Sequence, residues 1–388
     1  MELFKNKKDC CGCAVCYSIC PRKAIEMVED EYGYVYPKID KNKCIDCGLC
    51  KKGCAFQNKE KNLNNPQKTL AAVTKNNELL RNSASGGIFA TIANKFLDEN
   101  GSIYGASLEK ENGCFKVKHI RILKKEDLVK LQGSKYVQSD MMNIYSLIKK
   151  DLEEGKKVLF SGTPCQVNAL KSFLKFKDYD NLYTIDIICH GVPNNKMFNS
   201  FIKMLEKKEK GKIINFKFRD KTKGWGLNAS FTIEKNKKII KKVVEAFNLS
   251  YYQLFLDSLI YRENCYICPY AGKLRAGDIT IGDYWKIEKE HPDFIKMFEI
   301  KKGVSCIIAN NDKGEKMISE LSKDFMLLDS KFEKVQYHNK QLVHPSIFKE
   351  ERNEILKLYS KNGYESVDKY YFKKNFFKNF IKTIFYKL

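Results

Sequence analysis

The chemistry in this sequence is carried by cysteine. Fifteen cysteines stand in 388 residues, and their spacing is that of ligands. Residues 10–20 read CCGCAVCYSIC and set Cys10, Cys13, Cys16 and Cys20 at C-x2-C-x2-C-x3-C, followed by Pro21. Residues 44–54 read CIDCGLCKKGC and repeat the spacing with Cys44, Cys47, Cys50 and Cys54, although Ala55 replaces the proline. Three closely spaced cysteines on one loop can wrap three corners of an iron–sulfur cubane, whereas zinc sites usually show paired C-x2-C units. Gly12, Ala14 and Gly48 are small enough to let such loops aim backbone N–H groups at sulfur. Downstream, Cys265 and Cys268 form a lone C-x2-C pair, and Cys165 and Cys189 stand singly. These four make either one four-thiolate site drawn from three segments or a pair of thiols plus two core residues. His190 reads as a replacement ligand, a proton donor or a hydrogen-bonded neighbour. Cys11 reads as a bystander, and Cys114 and Cys306 as structural thiols.

The positioning elements follow from local pattern. Between the two cysteine runs, AIEMVEDEYGYVYPKID alternates around DEYGY, which predicts a β-hairpin. Residues 59–67, KEKNLNNPQ, are polar and read as a linker. TLAAVTK then reads as a buried strand, and Ser83, Ser85, Gly86 and Gly87 precede an amphipathic helix. Small and hydroxyl residues at a helix start suit an anionic group, while an unliganded Ser-Gly start is the plainer alternative. Gly133, Ser134, Lys135 and Tyr136 form a second glycine turn carrying a cation. The next helix is expected to begin at Ser139 or Asp140. In KKVLFSGTPCQVNALKSFL a strand over 157–160 leads to a helix with Pro164 in its first position, which puts Cys165 in the first turn. LYTIDIICHGVP is a second apolar strand ending at Cys189 and His190. Strand–helix–strand order implies a parallel pair, with both cysteines at the strand ends where α/β sheets hold ligands.

Composition sets the class. A hydrophobic fraction of 43% and a charged fraction of 30% describe a globular chain. No apolar run has the length of a membrane span. MELFKNKKDCCGC lacks the apolar core of a secretory signal, so the expected location is cytoplasmic, where thiols stay reduced for metal binding or catalysis. The formal charge is +23. Each four-thiolate cubane would lower that figure by about two. Nucleic acid is not an expected partner, because no helix-turn-helix, RNP or finger pattern accompanies the charge. The C-terminal YYFKKNFFKNFIKTIFYKL places Phe376, Phe377, Phe380, Ile381, Ile384, Phe385 and Leu388 on one helical face. It reads as a terminal helix docked on the body or as a peripheral membrane contact.

Two resemblances extend these readings. The runs at 10–20 and 44–54 resemble those of bacterial two-cluster ferredoxins, in which the fourth cysteine of each run ligates the other cluster. That resemblance implies two [4Fe–4S] clusters: one on Cys10, Cys13, Cys16 and Cys54, the other on Cys44, Cys47, Cys50 and Cys20. From about residue 68 to 330, SASGGIFA, GSKYVQS, SGTPCQ, CHGVP, FKFRDKTKGWG and NCYICPYAGKLRAGDITIGDYW resemble the coenzyme F420 hydrogenase/dehydrogenase β-subunit family. The family implies FAD, contacted by the Ser83–Gly87 and Gly133–Tyr136 segments, and a third [4Fe–4S] cluster on Cys165, Cys189, Cys265 and Cys268. The FRDKTKGWG and GDYW segments resemble members found among cell-surface polysaccharide genes. Phe218, Arg219, Lys221 and Trp225 would then face substrate, the alternative being an ordinary hairpin with the tryptophan packed beneath it.

The expected architecture is therefore multidomain: an α+β dicluster ferredoxin over 1–58, a linker over 59–67, an α/β flavin-binding β-subunit-like domain in two parts, 68–150 and 151–330, and a basic helical tail over 331–388. The expected function is that of a flavin- and iron–sulfur-dependent oxidoreductase passing electrons between the clusters and FAD to act on an organic substrate. An F420-dependent β subunit and an electron-transfer subunit without its own substrate are the alternatives. The partner is a redox donor or acceptor protein or an F420-like cofactor. Substrate, catalytic residue and oligomeric state are left open.

Overall fold

The computed structural model describes residues 2–58 and 63–375. Along the chain, β1 (Ile25–Glu29) and β2 (Val35–Ile39) form a hairpin, and β3 (Lys68–Thr74), β4 (Ser102–Glu111) and β5 (Cys114–Ile122) follow. Next come β6 (Val158–Gly162), β7 (Leu182–Ile187), β8 (Lys212–Lys217), β9 (Asn228–Lys235) and β10 (Lys238–Glu245). The last strands are β11 (Ile279–Asp283), β12 (Ser305–Ala309) and β13 (Phe325–Ser330).

One sheet dominates. Its order is β13-β3-β12-β11-β7-β6-β4-β5. The centre, β4-β6-β7-β11, is parallel, and both flanks are antiparallel, so the sheet is mixed. β3 is buried at every position from Thr69 to Thr74, as expected of an apolar run covered on both faces. Strands from 68–150 and from 151–330 interleave in this sheet. The smaller sheet β10-β9-β8 is antiparallel.

Helix starts obey local chemistry. Pro164 opens the helix Pro164–Phe173, with Thr163 as its N-cap. Gly87, at φ +82°, precedes the helix Ile88–Asp98. The helix expected from Ser139 or Asp140 instead begins later, over Ile144–Glu153, with Asn143 at the cap position. Asp140 is held extended by backbone pairing with β5: its N–H donates to Val117 O, and its carbonyl accepts from the His119 N–H. That pairing overrides its capping tendency.

The first 58 residues are sewn into the body. Tyr34 and Tyr36 join the large aromatic core around Phe198 and Tyr251. The Tyr34 hydroxyl donates to Ile260 O at 3.0 Å, Tyr145 to Cys13 O at 2.7 Å and Tyr270 to Ala55 O at 2.8 Å. The helices Glu351–Asn362 and Tyr364–Lys374 close the far side, with Val367 and Tyr371 in the same core. The amphipathic stretch 376–388 lies outside the described residues. Among the described residues no helix is long and apolar enough to cross a membrane.

Candidate functional site

The two N-terminal cysteine runs interleave. Cys10, Cys13, Cys16 and Cys54 line one small cavity, and Cys20, Cys44, Cys47 and Cys50 line another. Each run thus sends its fourth thiol across to the other. Gly12 (φ +67°), Ala14 (φ +61°) and Gly48 (φ +74°) turn the loops through the left-handed region, which small residues tolerate best. The Gly12 and Ala24 N–H groups donate to Cys10 Sγ and Cys20 Sγ at 3.4 and 3.3 Å. Arg262, fully buried, stacks on Tyr36 at 3.9 Å and donates to Cys10 O at 2.9 Å and toward Cys10 Sγ at 3.7 Å. Its acidic neighbours are the thiols Cys10, Cys11 and Cys265 and the Tyr36 phenol. A buried guanidinium needs a compensating anion, and thiols that lose their protons only on binding metal are the groups at hand.

Cys165, Cys189, Cys265 and Cys268 come together from three segments around a third cavity. Cys165 lies in the first helical turn after β6, and Cys189 follows β7. The segment that follows the Cys265–Cys268 turn is anchored through Asp186 on β7. That carboxylate accepts from Arg275 Nη2 at 2.9 Å, Thr280 Oγ1 at 2.6 Å and the Ala276 and Gly277 N–H groups at 2.9 Å. Burial, reinforced by the neighbouring thiols, raises Cys189 well above the usual thiol range and pushes Cys265 and Cys268 up to about 12. These three keep their protons unless a metal takes the charge, whereas the neighbouring Cys11 thiol, ahead of Thr163, outweighs burial and brings Cys165 down to about 7. Among the described residues no three His, Cys, Asp or Glu side chains converge tightly enough to hold a single metal ion. The thiols surround space rather than a point.

A larger cavity of about 380 Å³ falls within the range of small-molecule and cofactor sites. It opens at the C-terminal ends of β6, β7 and β11, where Ser161, Ile187 and Ile281 line it. Ser83, Ser85, Gly87, Gly133, Ser134, Lys135 and Tyr136 all lie in its wall. Gly86 is set behind it, where a Cβ would stand 2.3 Å from Ala72 O. The Ser83 and Ser85 hydroxyls donate to Leu79 O and Val304 O at 2.7 and 2.8 Å, and Ser83 Oγ also accepts from Gln132 Nε2 at 3.2 Å. Lys135 donates to Lys130 O and Gln132 O, and burial pushes its ammonium down to about 7. Tyr136 is clamped flat on Phe255, ring centroids 4.3 Å apart. Cys189 and His190 line both this cavity and the four-thiol one.

Known proteins share much of this chain. Residues 155–333 match the family model that describes the C terminus of the coenzyme F420 hydrogenase/dehydrogenase beta subunit. Over that region the chain is similar to that family. An uncharacterized protein of Methanocaldococcus jannaschii is 27% identical over 212 residues, which are 45% of this chain and 57% of that protein. The chain therefore spans little more than half the length of that curated relative. A chain of the F420-reducing [NiFe] hydrogenase complex from Methanosarcina barkeri aligns with a TM-score of 0.42 at 18% identity, covering 79% of this chain and 91% of that one. The family is one of oxidoreductases and their subunits.

Several residues of the β-subunit-like region behave otherwise than the sequence suggested. Phe218 is buried in the aromatic core. Lys221 gives its hydrogens to the carbonyls of Leu80, Ser85 and Lys302 and so ties down the Ser83–Gly87 loop. Trp225 stacks on Trp285 at 5.0 Å and donates to Asp283 Oδ1 at 2.8 Å rather than packing under the hairpin. Arg219 lines the large cavity but is paired with Asp283 at 2.8 and 3.1 Å. Cys11 lines both the Cys10 cavity and the four-thiol cavity, and the neighbouring Cys13 and Cys165 thiols, together with burial, raise it well above the usual thiol range. Cys114 is exposed and Cys306 is buried in β12. Sequence reasoning passed over Thr163 and Gln166, although T-x-x-Q before an apolar helix is a capping-box signature and the structure forms that box.

Proposed function

We propose that this chain is an oxidoreductase, or the redox subunit of one, that holds three [4Fe–4S] clusters and FAD in a single row. The observation that carries the reading is the adjacency of four cavities. Cys50 lines both N-terminal cavities, Cys11 and Cys13 line the Cys10 cavity and the four-thiol cavity, and Cys189 and His190 line that one and the large cavity. Three of the four are each lined by at least four thiols, the soft donors that iron–sulfur clusters take. The large cavity offers a glycine turn, a half-buried lysine and a flat aromatic ring, which suit the phosphates and the rings of a dinucleotide.

Bound in these places, iron–sulfur clusters supply one-electron transfer and a flavin exchanges electrons singly or in pairs. The protein's own part is positional. Buried Arg262 compensates thiolate charge between the Cys10 and Cys265 sets. Asp186 and Arg275 fix the segment that follows the Cys265–Cys268 turn. Four thiols complete the third set without His190, which then stands as the partition toward the large cavity. The volume beyond the flavin segments, near Arg219 and Trp285, is where an organic substrate or an F420-like acceptor would sit.

Anaerobic purification with iron, sulfide and flavin analysis tests the reading. Three clusters give about 12 iron atoms per chain, and Cys265→Ala with Cys268→Ala gives about 8. A wild-type value of about 8, unchanged by the double substitution, or zinc in place of iron, would overturn it. Oxidation of the photoreduced protein by added F420 would identify that acceptor.

A further inference from the structure

A line of hydrogen bonds runs from the four-thiol cavity into the wall of the large one. Thr163 Oγ1 lies 3.1 Å from Cys165 Sγ and 3.1 Å from Gln166 Oε1. Gln166 Oε1 also accepts the Thr163 N–H at 3.0 Å, and Gln166 Nε2 donates to Ser139 Oγ at 2.8 Å. Ser139 Oγ meets His119 Nδ1 at 2.9 Å, and His119 Nε2 meets Ser161 O at 3.0 Å. The carbonyl can only accept, so Nε2 carries the hydrogen, Nδ1 accepts, and the Ser139 hydroxyl must donate to it. Each hydrogen along the line is thereby fixed except one. Thr163 has a single hydroxyl hydrogen and two acceptors at equal distance. Thr163, Gln166, Ser139 and His119 all line the large cavity, and Gln166, Ser139 and His119 are buried.

We propose that the Thr163 hydroxyl is a two-position donor that sets the electron affinity of the Cys165 site and reports its charge to the wall of the large cavity. As negative charge grows on Cys165 Sγ, the hydrogen turns to sulfur, and Gln166 Oε1 keeps only the backbone donor. As that charge falls, the hydrogen returns to Gln166. No bond to hydrogen breaks in the exchange. Hydrogen bonds to a ligand sulfur favour the reduced, more negative state and raise its potential. Thr163 is a positioning residue in this role, and the inference rests on the reading of a third cluster at Cys165, Cys189, Cys265 and Cys268.

Potentiometric titration of the purified holoprotein, followed by electron paramagnetic resonance, supplies the test. Thr163→Val should lower the midpoint of the third centre, Thr163→Ser should restore it, and Gln166→Leu should raise it by removing the competing acceptor. The two N-terminal centres should not move in any variant, which separates a local effect from general damage. Loss of fold is checked by iron content, which should stay at about 12 per chain. A third-centre midpoint equal to wild type in Thr163→Val, or shifts of the same sign in Thr163→Val and Gln166→Leu, would overturn the inference alone. Wild-type iron of about 8 would overturn it together with the reading it rests on.

Discussion

At the scale of single residues, His119 is the group whose ionisation the fold controls most plainly. It is buried against Phe160 with both ring nitrogens engaged, and burial holds its pKa down to about 4 against an ordinary value near 6.5. Between those values the unfolded chain binds a proton that the folded chain refuses. Stability is therefore complete above about pH 6.5 and declines as the pH falls toward 4, by up to about 3 kcal/mol. Denaturation midpoints measured between about pH 7.5 and 5 should fall more steeply for wild type than for His119→Gln. Equal slopes would mean that the imidazole is not buried as described. Cys11 makes a different point at this scale. One methylene and one sulfur join the walls of two cavities, and no spacing rule distinguishes such a thiol from a spare one.

Elements decide how these residues meet. The turn at Ser83–Gly87 is pressed against β3 and β12: the Gly86 N–H donates to Ser305 Oγ, its carbonyl accepts from Thr74 N–H, and a Cβ would meet the backbone at 2.3 and 2.8 Å. Gly133 has φ +78° but open space where a Cβ would stand. Gly86→Ala should thus cost several kcal/mol and reduce bound flavin, because strands must move, whereas Gly133→Ala should cost only about 1 kcal/mol of backbone strain. Thermal unfolding and flavin-to-protein ratios would separate them; equal losses would contradict the packing described. Much at this scale was legible in the sequence: the hairpin β1–β2, the parallel β6–β7 pair and the first-turn position of Cys165 follow from alternation, apolar runs and Pro164. What was not legible depended on partners far along the chain. Asp140 looked like a helix cap and is a strand neighbour, because β5 claims its backbone. Lys221 and Trp225 looked like substrate contacts and are loop fasteners, because Ser85, Lys302 and Asp283 lie at a distance that local pattern does not encode.

The whole molecule has an exposed end and a buried end. Cys47 is exposed, and Ile45 and Leu49 beside it are 60% and 39% exposed. Arg22 stands exposed in the lining of that cavity, and Lys23, Lys41, Lys51 and Lys52 stand exposed within two residues of it in sequence. A small apolar spot within a basic surround suits an acidic electron-carrier protein, whose encounter rate would fall with salt. Stopped-flow reduction by such a carrier should slow as ionic strength rises, and Lys51→Glu with Lys52→Glu should slow it further at low salt. A rate indifferent to both changes would place the entry point elsewhere.

The stitching of the first 58 residues into the body also sets a timetable for manufacture. Translation releases all nine N-terminal thiols before Cys165 exists, yet Arg262, Tyr270 and Ile260, which hold that segment in place, emerge some two hundred residues later. The nascent segment must therefore wait, with its sulfur uncovered, for most of the remaining chain. The Cys265–Cys268 turn arrives with the same late stretch that anchors the N-terminus. Completing the third thiol set and locking down the first two are consequently a single event in the birth of the molecule, and a ribosome stalled before residue 265 would leave all three unfinished.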